Sequence, residues 1–423
     1  MKKCIPVVLR CAAILLVCVI LGLSLLLAVN MLPSEPMAAH VSDSIPVFEK
    51  EGDYPALFSW CFSQLDNWTE ATILKIAAYD GGESRLDRTL LAYRYNAEQN
   101  GEALTSSEGL IAYYSGDRDV QFVTNSYPRY WHGYLTVVKP LLMVMNYQSI
   151  RILNTVLQNG LVFLICMVLW KKQLRHLIAP WLIAWGLLVP PAMGMSLQYS
   201  SVFYVMSAAV LYQLCFRHRW RSPHAPIYYF LVVGIATSYF DFLTYPLATL
   251  GVPMAFFFCL DSSEGVWRDF KRIILFSLVW GCGYVGMWAS KWVLASILTE
   301  QNVIANALET LLLRTSHSSG TAEQFSLLEM YIRHFKGFLK NPVMIAAVFY
   351  LGFCFLCILR KKVDLTHSVI VFGTIAIMPI VWYFVASNHS FVHWWFTCKG
   401  LVITAFSGMC LFSNGCKNAG RTL

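Results

Sequence analysis

The sequence predicts an all-α polytopic membrane protein with about ten transmembrane helices, a large first extracytoplasmic loop and both termini in the cytoplasm. Three observations predict it. Hydrophobic residues make up 57% of the 423-residue chain and charged residues only 13%, too apolar for an ordinary soluble fold. Apolar runs of about twenty residues recur, the length that crosses a bilayer as a helix. Short basic clusters separate these runs and hold most of the +8 net charge, as positive-inside topology requires. That balance calls for no nucleic-acid partner. The 13 cysteines lie mostly inside apolar runs and suggest no disulfide framework. Cys354 and Cys357 form a C-x-x-C without a nearby histidine, a poor zinc site.

Taken in order, residues 1–32 read as an uncleaved signal-anchor helix. Lys2, Lys3 and Arg10 lie ahead of its uncharged core and hold the N-terminus in the cytoplasm. Residues 33–148 form the longest polar segment, with apolar patches at 54–61 and 72–78 and turn signals at Gly81-Gly82 and Gly116-Asp117. They predict a small, mainly helical extracytoplasmic domain resting on the membrane. Residues 149–423 form the polytopic membrane domain. Its first span ends at Lys171, Lys172 and Arg175, and a following pair of spans ends at Arg217, Arg219 and Arg221.

Residues 226–260 decide the topology. As one tilted helix they would leave Arg268, Lys271 and Arg272 outside. As a hairpin of two shorter helices they place Asp241 outside and the basic loop inside, and the hairpin is the reading adopted. A second outer segment, about residues 299–341, carries amphipathic stretches. Three further apolar runs surround the inner cluster Arg360-Lys361-Lys362 and the outer loop 387–393, and Lys417 and Arg421 end inside.

In this threading, four polar groups collect on the outer face. The first is Asp66-Asn-Trp-Thr-Glu70, whose two carboxylates share a helix face at a spacing of four. Such a pair suits a general base and its orienting partner, or a divalent cation such as Mg²⁺ or Mn²⁺ on phosphate oxygens. Asp66 capping a solvated helix is the plainer alternative, and Asp80 and Glu83 could fill the acidic role instead. The second group, Tyr127 to Lys139, offers Arg129, His132 and Lys139 to a phosphate and Trp131 to a sugar or lipid. Aromatic and basic residues at a membrane boundary also serve as interfacial anchors. The third is Asp241 with Tyr245 at the hairpin tip, an acid costly to hold near lipid. Lys291, inside the next helix, is open to snorkelling, pairing with Asp241 or phosphate binding. The fourth is Asn388, His389 and His393, followed by Lys399. Two histidines four apart without a third ligand suit hydrogen bonds to sugar or phosphate better than a metal site.

This layout resembles the GT-C class of polytopic glycosyltransferases. The segments Asp66-Asn-Trp-Thr-Glu70, Tyr130-Trp-His-Gly133, Asp241-Phe-Leu-Thr-Tyr-Pro246 and Asn388-His389 also look like those of bacterial polytopic membrane proteins of about this length. The resemblance implies a cell-membrane enzyme with an extracytoplasmic active face. A catalytic acid in the first outer loop (Asp66, Glu70, Asp80 or Glu83), or Asp241 at the hairpin tip, would take the proton of a glycan, lipid or protein acceptor. The donor would be a sugar on a polyprenyl-phosphate carrier, its phosphate held by Arg129, His132 and Lys291. A transporter or flippase for lipid-linked glycans is the rival expectation, and would place polar groups at mid-membrane depth. A structural subunit of a polymer-export complex is the third.

Overall fold

The structure, a computed structural model, is 75% helical and describes residues 5–220, 222–261, 264–316, 325–361 and 365–421. Lys2, Lys3, Arg221 and Lys362 of the basic clusters lie outside the described residues. Seven helices are long and apolar enough to cross a membrane. They are Pro6–Val29, Tyr147–Lys171, Leu197–Arg219, Val266–Leu298, Val343–Arg360, Thr366–Val385 and Trp394–Gly415. The chain is thus an α-helical, multi-pass membrane protein.

The stretch around 226–260 folds as two short helices, Ala225–Phe240 and Ala248–Leu260. Asp241 leaves helical geometry, and its carboxylate accepts the Thr244 amide at 3.1 Å and the Thr244 hydroxyl. Leu243 takes a left-handed φ of 65°, and Pro246 cannot donate to the preceding turn. These features turn the chain back on itself. At the other end of the hairpin, Arg217 and Arg272 both pair with Asp261, and Asp269 pairs with Arg272 (2.9 Å) and with His367 (2.8 Å). The basic loops therefore meet in one ionic cluster at the end of the bundle opposite Asp241.

The hairpin's first helix lies very close to Val266–Leu298 because two glycines face each other. A Cβ at Gly234 would stand 2.1 Å from the Trp280 carbonyl oxygen, and one at Gly283 would stand 2.3 Å from that of Leu231. Small residues permit such close crossings where lipid gives no hydrophobic drive to association. Gly234→Ala is expected to destabilise the purified protein by about 1–3 kcal/mol, the usual cost of overpacking. Gly281→Ala, which meets nothing within 4 Å, is the matched control in the same thermal melt.

The first outer loop is not wholly helical. Its helices Ser34–Ser42, Ile45–Glu51, Asn67–Ala77, Arg85–Leu91 and Ser106–Ser115 pack with a three-stranded antiparallel sheet. Strand Arg94–Gln99 is central, between Glu102–Ala103 and Gln121–Asn125, with Arg94 opposite Asn125. The strands lack alternating apolar residues. Their sequence signal is Asn100-Gly101, with φ of 53° and 82°, the dipeptide that closes a tight hairpin. Leu74, Leu110, Trp131 and Tyr147 join this domain to the membrane helices in one buried cluster.

Candidate functional site

The acidic motif is built by its neighbours on both sides. Asp66 caps Asn67–Ala77, accepting the Thr69 amide at 3.0 Å, and Asn67 donates to Glu51 and to the Gly52 carbonyl. Arg151, from Tyr147–Lys171, pairs with Glu51 at 2.7 Å, donates to Asn67 Oδ1 at 3.0 Å and stacks over Tyr147. Glu70 is fully buried. It accepts the Tyr147 hydroxyl (2.9 Å), the Ser196 hydroxyl (2.9 Å) and the amides of Leu197 (3.1 Å) and Gln198 (2.9 Å). Ser196, Leu197 and Gln198 open the helix Leu197–Phe216, so Glu70 satisfies its first amides and faces its positive end. Glu70 is thereby a tether between the outer domain and the membrane bundle.

The two acids share a helix face, yet their chemistry diverges. Glu70 has no unengaged oxygen, whereas Asp66, also buried, is met by its own helix start, by the Gln198 side chain and by the neighbouring Tyr54. Burial pushes the Asp66 carboxyl up to about 6, with Glu70 adding to the rise and the Thr69 amide and the Thr69 and Gln198 side chains opposing it. Burial, with the Asp66 charge next in size, pushes the Tyr54 phenol up to about 12. From there a run of neighbouring side chains leads to the hairpin. Tyr54 meets Trp395 (5.6 Å between ring centres), Trp395 meets His393 (5.4 Å), and His393 meets His389 (4.8 Å). His389 Nε2 lies 2.7 Å from the Leu243 carbonyl, two residues from Asp241. Tyr245, from the same turn, donates to the Tyr199 carbonyl at 2.9 Å. The third and fourth polar groups of the sequence therefore meet at the hairpin tip, and the first is linked to them through Tyr54, Trp395 and Tyr199.

A carbonyl only accepts, so His389 carries its proton on Nε2 and presents Nδ1 as a bare acceptor. His389 Nδ1, His393 Nδ1 and Gln198 Oε1 are buried without a hydrogen-bond partner among the described residues. Burial, then Arg314, holds His393 down at about 3; burial, then His393 and Arg314, holds His389 well below its ordinary range. Both are neutral at physiological pH. Arg314, from Val303–Thr315, reaches Asn388 Oδ1 at 3.3 Å and lies close enough for its charge to act on both histidines. Asp241 is likewise pushed up by burial, to about 6, while its Thr244 and backbone hydrogen bonds pull the other way.

The second group divides. Trp131 is fully buried and donates to the Met287 carbonyl at 2.6 Å. His132 has both nitrogens engaged, Nε2 with the Tyr127 carbonyl (2.7 Å) and Nδ1 with the Tyr134 hydroxyl (2.9 Å), and burial holds it down at about 3. It is no phosphate-binding cation. Lys139 is buried near Arg88, which together with burial lowers it to about 8. Arg129 points to a separate polar cavity at the helix Val303–Thr315. Lys291 does not pair with Asp241. Its ammonium donates to the Thr89 carbonyl at 3.1 Å and sits 5.5 Å from the Trp131 ring centre. Asp80 accepts from Tyr95, and Glu83 from Tyr79, in a stack of tyrosines beside the sheet. Lys399 is buried on the Leu188 carbonyl.

Among the described residues no three or more His, Cys, Asp or Glu side chains gather as a metal site. With Glu70 fully engaged by four donors, the acid pair does not fit a divalent cation. The sequence reading missed Tyr54, Trp395 and Arg314, since an aromatic at a membrane edge and a lone arginine on an amphipathic helix carry no motif.

An apolar cavity of about 950 Å³ lies between Tyr147–Lys171, Leu197–Phe216 and Ala225–Phe240. Leu197 and Phe240, the sequence neighbours of Gln198 and Asp241, line one end, and Trp220, beyond the inner end of Leu197–Phe216, lines the other. The chain matches no family model, no curated protein and no solved structure in the comparisons made.

Proposed function

We propose that this protein transfers a sugar from a polyprenyl-phosphate carrier to a glycan, lipid or protein acceptor outside the cytoplasm, as GT-C enzymes do. The observation that carries the reading is the run from Asp66 to Asp241. It joins a carboxylate ionised at neutral pH to neutral acceptors, aromatic faces and one arginine along one run of neighbouring side chains. In the reaction, the acceptor oxygen bonds to the anomeric carbon as the bond from that carbon to the phosphate oxygen breaks. The acceptor proton passes to Asp66, and the carrier phosphate leaves with the bonding pair. Arg314 neutralises that phosphate, the main electrostatic demand of the step. His389 Nδ1, His393 Nδ1 and Gln198 Oε1 accept hydrogen bonds from sugar hydroxyls, and Tyr54 and Trp395 stack on the ring. No step is routed through a metal.

The 950 Å³ cavity supports a lipid-linked donor, because a hydrocarbon chain is the occupant its apolar lining favours. The same cavity favours the second reading, a flippase for lipid-linked glycans. Liposomes holding the purified protein separate the two when lipid-linked donors and acceptors are supplied in turn. Sugar transfer to the acceptor is the expected result; carrier crossing the bilayer without transfer would replace the enzyme with the flippase.

In the membrane, the seven long helices, the hairpin's two short helices and the segment formed by Ile178–Leu187 with Pro190–Met195 make ten spans, with both termini in the cytoplasm. Cysteines placed at Asp117 and Glu309 are then expected to react with an impermeant maleimide on intact cells, and one at Lys172 is not. Labelling at position 172 under those conditions would overturn the orientation.

A further inference from the structure

A second polar cavity, of about 230 Å³, lies between the outer sheet and the start of Val303–Thr315. Arg94 enters it from the central strand, and Arg129 from the segment after strand Gln121–Asn125. Both guanidinium groups stack on the Tyr127 ring, at 4.7 and 5.1 Å from its centre. Arg129 Nη1 donates to Thr310 at 3.2 Å and approaches Asn306 Oδ1 at 3.5 Å, while its Nε is buried without a partner. Arg94 Nε donates to Asn96 at 3.1 Å, while its Nη1 is buried without a partner. No carboxylate lines the cavity, and neither arginine forms a salt bridge among the described residues. Asn302 caps the helix that opens here, so its positive end faces the same space. Burial pulls Arg94 below its ordinary value, and the charge of Arg129 adds to the pull.

Two cations held against one ring, each with an unanswered N–H, form an arrangement that an anion with several acceptor oxygens completes. Planar guanidinium groups match phosphate geometry, and the volume admits a phosphate or pyrophosphate. We infer that this cavity binds a phosphate group at a site separate from Asp66 and the hairpin tip. The phosphate is borne either by a lipid headgroup, since the cavity adjoins the outer end of Val266–Leu298, or by a soluble ligand. This inference does not rest on the sugar-transfer reading.

The test titrates the full chain, purified in detergent at constant ionic strength, with inorganic phosphate and with pyrophosphate. Saturable binding is expected. Arg94→Gln and Arg129→Gln are each expected to weaken it on the order of tenfold or more, the effect of losing a charged hydrogen bond. Asn306→Asp keeps both arginines and their scaffold but puts a carboxylate in the cavity, and is expected to weaken binding similarly. Arg118→Gln, on an exposed turn, is expected to leave it unchanged. A second arm compares nanodiscs of phosphatidylcholine alone with nanodiscs containing phosphatidic acid. Competition by phosphatidic acid identifies a lipid headgroup as the source of the phosphate, and unaltered binding identifies a soluble ligand. No saturable binding of either anion, or binding indifferent to Asn306→Asp, would overturn the inference.

Discussion

Asp66→Asn is expected to lower sugar transfer by about 10²–10⁴-fold, the usual cost of losing a general base, while donor binding persists. The amide keeps an oxygen to accept the Thr69 amide, so the helix cap survives and the loss reads chemistry rather than folding. The pH profile gives an independent readout. A base must be ionised, and burial raises Asp66 to about 6, so activity is expected to climb with pH through that region and level off above it. The stability term has the opposite sign. A carboxyl whose folded pKa exceeds its unfolded value of 3.8 binds more protons when folded, so its contribution falls as pH rises from about 4 to 6. Full activity in Asp66→Asn, or a flat acid limb, would remove Asp66 from the mechanism.

Glu70→Ala is expected to damage the fold, with an effect of at least about 3–5 kcal/mol, as for breaking other buried charge networks. Four donors lose their acceptor together: two hydroxyls and two amides, three of the four bonds fully buried. Glu70→Gln retains one acceptor oxygen but turns an amide group toward other donors, so an intermediate loss is expected. Fluorescence-detected size exclusion of membrane extracts measures both. Monodisperse, thermally normal Glu70→Ala protein would show that the outer domain holds its position without the tether.

The membrane spans were legible because lipid imposes length and apolarity residue by residue. The hairpin was legible through Asp241 and Pro246, two local reasons for a helix to stop. The acid pair was legible only as a spacing. That Glu70 is a tether and Asp66 is not depends on Tyr147 and Ser196, which no local pattern connects to them. His132 misled for a similar reason: a histidine beside an arginine suggests an anion site until Tyr127 and Tyr134 engage both nitrogens. The sheet escaped notice because its strands are half-polar, although Asn100-Gly101 marked their turn. Arg94 stood inside that unrecognised strand.

Glu70 and the Ser196 hydroxyl that it accepts are separated by 126 positions in the chain. A ribosome adding about 5–20 residues per second makes the carboxylate roughly 6–25 s before that donor exists. For that interval the carboxylate lacks the partners that bury it. The domain therefore cannot finish folding in the order of its synthesis. Its last step must await insertion of a helix from the other part of the protein, and whatever delays that insertion leaves the outer face exposed to proteases.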